Sequence, residues 1–170
     1  EILNDPSIEA VAVETEEIYL TKYAQLVASA GKAMHMEKPG SQSLAAFEAM
    51  IETVKKNGTV FHTGYMYRYN PFVQELLKQI EDGELGEILS VEAQMNCYHP
   101  ASIRQWLENF KGGMMFFLGC HLIDMAYLIA GMPKRITSFY HSAENRIPVQ
   151  DNCLSIFEYD HGTATIRVNA

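Results

Sequence analysis

The order of patterned segments predicts an α/β chain in two parts. Half of a doubly wound parallel sheet comes first. An α+β part follows, whose sheet is largely antiparallel with one open face. Two observations carry this. Ala10-Val11-Ala12-Val13, Ala33-Met34-His35-Met36 and the stretch 60–67 are apolar or β-rich runs, and segments with helical spacing separate them. Strand, helix, strand, helix, strand is the order that builds a parallel sheet. After Pro71 the pattern changes: 88–98 alternates cleanly, and three more β-patterned segments come after one helix. That is the mark of a sheet with one face toward water.

The elements follow in order. The unbroken apolar run at 10–13 reads as a strand covered on both faces. Thr15 is placed to cap the next helix, with Glu16 and Glu17 in its first turn. Tyr19, Tyr23, Leu26, Val27 and Ala30 recur at helical spacing, and Gly31 ends the helix. After the Met34 strand, Ser41 or Ser43 caps a second helix with the stripe Leu44, Phe47, Ile51 and Val54. Lys55, Lys56 and Asn57-Gly58 supply its basic last turn and its stop.

In the second part a helix over 72–80 ends at Asp82-Gly83. In 88–98, Leu89, Val91, Ala93, Met95 and Cys97 share the covered face. Ser90, Glu92, Gln94, Asn96 and Tyr98 share the open one. A helical turn is expected at 103–107 and a helix at 120–130, closed by Gly131. Strands are expected at 135–143, 152–159 and 163–168, the last two joined by Asp160-His161-Gly162. The domains divide as 1–70 and 71–170.

The 170 residues hold no long uncharged apolar run, so no transmembrane helix is expected. A net charge of −8 argues against a nucleic-acid backbone as partner. Cys97, Cys120 and Cys153 lack CxxC spacing and read as small buried hydrophobes in a reducing, cytoplasmic compartment. The chain opens on Glu1-Ile2-Leu3, with no signal peptide and no initiator Met.

Chemistry concentrates at two places. Glu37-Lys38-Pro39 follows a strand and precedes a helix, at the carboxyl edge where open α/β sheets bind ligands. Proline can hold a tight bend there, and an X-Pro bond takes the cis form at modest cost. A bare Lys-Pro tripeptide is otherwise an ordinary surface turn. His121 lies in Gly119-x-His121-x-x-Asp124. Histidine suits a general base because it titrates near neutrality, although a lone helix-start histidine is more often structural. Asp124 shares its helical face and is assigned a structural role. No third ligand stands at metal-like spacing, so no metal is expected. Tyr65, Tyr67 and Arg68 run off a strand end and Tyr98 ends the alternating strand, where side chains can line a sugar pocket or pack between domains.

Four features in one order resemble the Gfo/Idh/MocA oxidoreductases. They are Asp5-Pro6 before the Val11 strand; Ala30-Gly31-Lys32 before Glu37-Lys38-Pro39; Gly64 to Pro71; and Gly112-Gly113 through Gly119-x-His121-x-x-Asp124. The resemblance implies that the parallel half is the second half of a Rossmann-type sheet binding NAD or NADP. It also implies an open sheet that mediates homodimer or homotetramer assembly. Lys38 and His121 correspond to the family's catalytic pair at the reacting hydroxyl. By the same resemblance Thr15, Glu37, Lys38 and Pro39 lie near the cofactor, and Tyr65, Tyr67, Arg68, Tyr98 and His121 near the substrate.

Three departures stand out. The Gly-x-Gly-x-x-Gly phosphate turn is not in this chain, the Thr-Pro-Asn-x-x-His stretch reads Thr15-Glu16-Glu17-Ile18-Tyr19-Leu20, and the family's Asp four residues before His121 is Phe117. The expected function is nicotinamide-dependent oxidation of a sugar, cyclitol or polyol. The alternatives are a non-catalytic sugar or nucleotide sensor and an NAD-dependent glycosidase on the same scaffold.

Overall fold

The computed structural model describes residues 1–109, 111–143 and 147–170. The chain divides into two compact units, Glu1–Tyr65 and Met66–Ala170.

The first unit is a parallel sheet of β1 (Ala10–Val13), β2 (Ala33–Met36) and β3 (Phe61–Thr63), in that order. Helix α1 (Glu17–Ser29) joins β1 to β2, and α2 (Leu44–Asn57) joins β2 to β3. Val13, Met34 and Met36 form one core with Leu20, Ala24 and Met50 from the two helices. Both helices therefore cover the same face of the sheet. This corrects the reading of β1 as covered on both faces. Val13 is buried, but Ala10 and Ala12 project from the opposite face and are exposed.

Helix α1 also departs from expectation. Tyr19, Tyr23 and Leu26 are 44–48% exposed, and the buried stripe is Leu20, Ala24, Val27 and Ala28. Both stripes obey helical spacing, and small alanines let α1 approach its neighbours closely. Thr15 is not the cap: the helix starts at Glu17 with Glu16 at the N-cap position and no side-chain cap bond. The second helix is capped by Ser43, whose Oγ accepts from Ala46 N, and ends at left-handed Gly58. Its core residues are Met50 and Val54, while the predicted Leu44 is 73% exposed because it lies in the first turn, beyond the packed face. The third strand stops at Thr63, and Met66–Tyr69 forms a 3₁₀ turn where extended chain was expected.

The second unit opens with α3 (Pro71–Glu81), capped by the Asn70 side chain accepting from Phe72 N at 2.9 Å. Then come β4 (Ser90–Asn96), α4 (Ala101–Trp106), a π-helical turn at Met115–Gly119, and α5 (Cys120–Ala130). Strands β5 (Arg135–His141), β6 (Asn152–Glu158) and β7 (Thr163–Asn169) complete it. The sheet order is β4-β7-β6-β5, with β4 parallel to β7 and the other pairs antiparallel. Ala164, Ile166, Val168, Cys153 and Phe157 pack one face against Met114, Met115 and Ala126. Along β4, Val91, Ala93 and Met95 are half-buried, and Ser90, Glu92, Gln94 and Asn96 are exposed. Leu89 was assigned to the covered face but is 60% exposed, because it precedes the paired strand.

A buried ion pair ties this unit together. Asp151 has no exposed surface; Arg104 Nε donates to its Oδ2 at 2.6 Å and Ala143 N to its Oδ1 at 2.7 Å.

Candidate active site

The parallel strands all end at one edge, and the first group of predicted residues follows from that register. Val13, Met36 and Thr63 are aligned partners, so the chain after each emerges side by side. Glu37 N donates to Val13 O at 3.0 Å, and Gly64 N to Met36 O at 2.9 Å. Thr15 lies half-buried in the bend between β1 and α1. Lys38 and Pro39 are half-buried, and the bond between them is cis.

The Glu37 carboxylate turns back on the backbone, where its Oε2 accepts from Lys38 N at 3.1 Å. It is pressed against Gly64, at which an added Cβ would lie 2.7 Å from Glu37 Oε1. Gly64 is thus bare so that the acid can sit beside the lysine. Gly64→Ala is expected to turn the Glu37 carboxylate away and, if this edge holds a nicotinamide cofactor as the resemblance implies, to raise KM for it several-fold. The melting temperature should fall by only a few degrees, because one hydrogen bond of about 1 kcal/mol is lost. Steady-state kinetics beside a thermal melt checks both. Pro39, Phe61 and Tyr65 also line a cavity of about 430 Å³ with the start of α2.

The second group surrounds His121, which is only 7% exposed at the start of α5. Gly119 permits this placement: a Cβ there would meet Met115 Sδ at 2.5 Å and Val168 Cγ2 at 3.1 Å. The turn before α5 therefore packs directly on β7. The Tyr67 ring stands edge-on to the imidazole, 5.1 Å between centroids at 87°. Arg68 grips Asp124 with two bonds, one from Nε to Oδ2 at 2.8 Å and one from its terminal nitrogen to Oδ1. Such a two-pronged pair is both strong and directional. The 66–69 turn thus holds α5 at two points one helical turn apart. Tyr67 and Arg68 were expected beside a substrate; within this unit their contacts are to His121 and Asp124. The spacing of His121 and Asp124 was visible in the sequence, but the Arg68 partner was not.

Phe117, where the resemblance leads one to expect an Asp, lies half-buried between Trp106 (5.3 Å, 85°) and His99 (6.2 Å, 52°). The three rings form an aromatic nest. Tyr98 is 89% exposed just beyond β4. Burial pushes the Cys153 thiol up to about 11, which leaves it protonated and unreactive at neutral pH. Among the described residues, no group of three or more His, Cys, Asp and Glu can hold a metal ion, and no helix is long and apolar enough to cross a membrane.

Comparison with known proteins gives the class. Residues 1–65 match the oxidoreductase family with the NAD-binding Rossmann fold, and residues 73–170, more than half of the chain, match the GFO/IDH/MocA C-terminal domain. The chain belongs to the Gfo/Idh/MocA oxidoreductase family. It is 30% identical to the oxidoreductase YhhX of Escherichia coli over 152 residues, 89% of this chain and 44% of that protein. It is 29% identical to the scyllo-inositol 2-dehydrogenase (NADP+) IolW of Bacillus subtilis over 140 residues, 81% of this chain and 39% of that one. An inositol dehydrogenase homolog from Azotobacter vinelandii, solved with NAD+, superposes with a TM-score of 0.88 at 24% identity, covering 99% of this chain and 47% of the other. The chain spans less than half the length of these relatives.

Proposed function

We propose that the intact protein oxidises a hydroxyl of a sugar, cyclitol or related polyol with NAD or NADP. The observation that carries this is His121: it is buried at a helix start, faced by an aromatic edge, with α5 anchored one turn on by Asp124 and Arg68. An isolated core histidine needs no such anchoring. At the parallel edge Gly64 leaves room for Glu37 beside Lys38, and Pro39 closes the bend. Thr15, Glu37, Lys38 and Pro39 would hold that end of the cofactor, which when bound takes the hydride.

The chain's own residues do the rest. His121 takes the hydroxyl proton as general base. Lys38 offsets the charge that develops on the oxygen as the proton leaves. Tyr67 and Arg68 are positioning residues that fix the imidazole and its helix. Tyr65 and Tyr98 contact the sugar. Reduction of NAD+ or NADP+ by the intact protein, followed by absorbance across a panel of inositols, sugars and glucosides, tests the reading.

Phe117 favours a second reading. The aromatic nest of Phe117, Trp106 and His99 offers stacking surface where a carboxylate would serve catalysis. A sugar or nucleotide sensor would bind its ligand, show no turnover, and be insensitive to loss of His121 as a base.

Assembly follows from the second unit. The open face of its sheet carries half-buried Leu154 and Ile156 beside Arg167 and Thr165 of β7, with Gln94 and Glu92 of β4 beyond those two. Such a face buries itself on a second copy. The intact protein is expected to be a homodimer or homotetramer in the cytoplasm. Ile156→Asp should shift it to monomer by light scattering, and a monomeric wild type would count against the assignment.

A further inference from the structure

A cavity of about 440 Å³ opens in the second unit at the end of α5 that lies away from His121. From His121 to Ile129 on its wall is about 12 Å along the helix. Ile80 near the end of α3, Ile88 just before β4, Val91 within it and Ile129 give the cavity an apolar lining. The turn between β6 and β7 closes one side, and backbone contacts hold it there. Thr163 N donates to Leu89 O at 3.1 Å, and Tyr159 N to Gly162 O at 3.0 Å. Gly162 lies so close to Leu89 that an added Cβ would stand 2.4 Å from its carbonyl oxygen. This wall is therefore a fixed part of the fold.

Three polar side chains share the lining. Lys134 and Asp160 form an exposed ion pair. Exposed pairs add little stability, so opening this one costs little. Tyr159 packs against the core of the unit, and its hydroxyl is buried with no hydrogen-bond partner among the described residues. Buried tyrosine hydroxyls ordinarily have a partner. Helix α5 ends at the same cavity with Ile129 and Ala130, and the negative pole of a helix C-terminus favours a cation.

The cavity thus joins apolar surface to a cation, a hydroxyl donor, a carboxylate and a helix C-terminus. A lone anion bound to Lys134 would strip Asp160 of its partner, and a lone cation bound to Asp160 would strip Lys134. A molecule carrying both charges satisfies both. We propose that the cavity binds a small zwitterion with an apolar side chain, an apolar α-amino acid. Its side chain lies on Ile80, Ile88, Val91 and Ile129. Its carboxylate accepts from Lys134 and Tyr159, and its ammonium faces Asp160 and the end of α5. The ligand exchanges one ion pair for two and leaves the net charge of the site unchanged.

The test is calorimetric titration of the intact protein with L-leucine, N-acetylleucine, leucinamide and glycine. Leucine should bind at one site per chain. Each of the other three lacks one feature, the ammonium, the carboxylate or the side chain, and should bind about 10-fold more weakly or worse. Saturating leucine should raise the melting temperature by a few degrees. Lys134→Met and Asp160→Asn change exposed side chains, so both should fold normally and bind leucine about 10-fold more weakly or worse. Tyr159→Phe removes a hydroxyl that has no partner among the described residues, so it should keep the wild-type melting temperature while weakening leucine binding several-fold. No heat of binding to leucine at millimolar concentration, equal binding of N-acetylleucine or leucinamide, or undiminished binding by Lys134→Met or Asp160→Asn would overturn the proposal.

Discussion

His121→Asn and Lys38→Ala are each expected to lower kcat of the intact protein on a substrate of the proposed sugar or polyol class by about 10²-fold or more, the range of a lost general base. Asparagine approximates the size of imidazole and keeps a polar group beside Tyr67, but it cannot take a proton near neutrality. Lys38→Ala removes the charge proposed to offset a developing alkoxide. If both residues serve one proton transfer, as proposed, the double variant should lose little more than the worse single variant. His121 is buried, so His121→Gln and a thermal melt of each protein separate lost chemistry from lost folding. Phe117→Asp is not expected to raise the rate. The new carboxylate would enter a cluster with Trp106 and His99, where it loses aromatic packing and the apolar surroundings favour its neutral form. If His121→Asn and Lys38→Ala both keep wild-type turnover, the assignment fails. If nothing is turned over while a sugar or nucleotide still binds, the sensor reading replaces it.

The largest effect on stability is expected at Arg104 and Asp151. Arg104→Met should destabilise the second unit by about 3–5 kcal/mol, because it strands a fully buried carboxylate without its cation. In a chain of this size that lowers the melting temperature by roughly 10 °C. Asp151→Ala should cost a similar amount for a different reason. It leaves the guanidinium, whose side chain is 13% exposed, without its anion, and it orphans the Ala143 N–H that Oδ1 accepts. A double-mutant cycle should show strong coupling, since once one charge is gone the other contributes only cost. Urea denaturation of the four proteins measures it, and additive losses would show that the two residues act independently.

The resemblance to the family rested on short motifs, and the matches to residues 1–65 and 73–170 bear it out. The candidate site was legible only in outline. Lys38 and His121 stand out because Glu-Lys-Pro and Gly-x-His-x-x-Asp are local strings. Their surroundings do not: Arg68 and Asp124 are 56 residues apart, and elsewhere in the fold Arg104 and Asp151 are 47 apart and the hydrogen-bonded His35 and His62 are 27 apart. No spacing rule links such pairs, because chain topology alone brings them together.

The sequence by itself determined the kind and order of the main helices and strands. Ser43 and Gly58 bound α2, Asn70 and Pro71 open α3, Gly131 ends α5, and the alternation of β4 is seen in its burial. These are local effects, set by a side chain acting within a turn of its own backbone. Tertiary structure decided which faces are covered. A continuous apolar run at 10–13 and two competing stripes on α1 satisfy the same period whichever side packs, and only the placement of both helices on one face of the sheet buries Val13, Leu20 and Ala24 while leaving Ala12, Tyr19 and Tyr23 exposed. Periodicity states that a face exists; burial depends on what the rest of the chain lays against it.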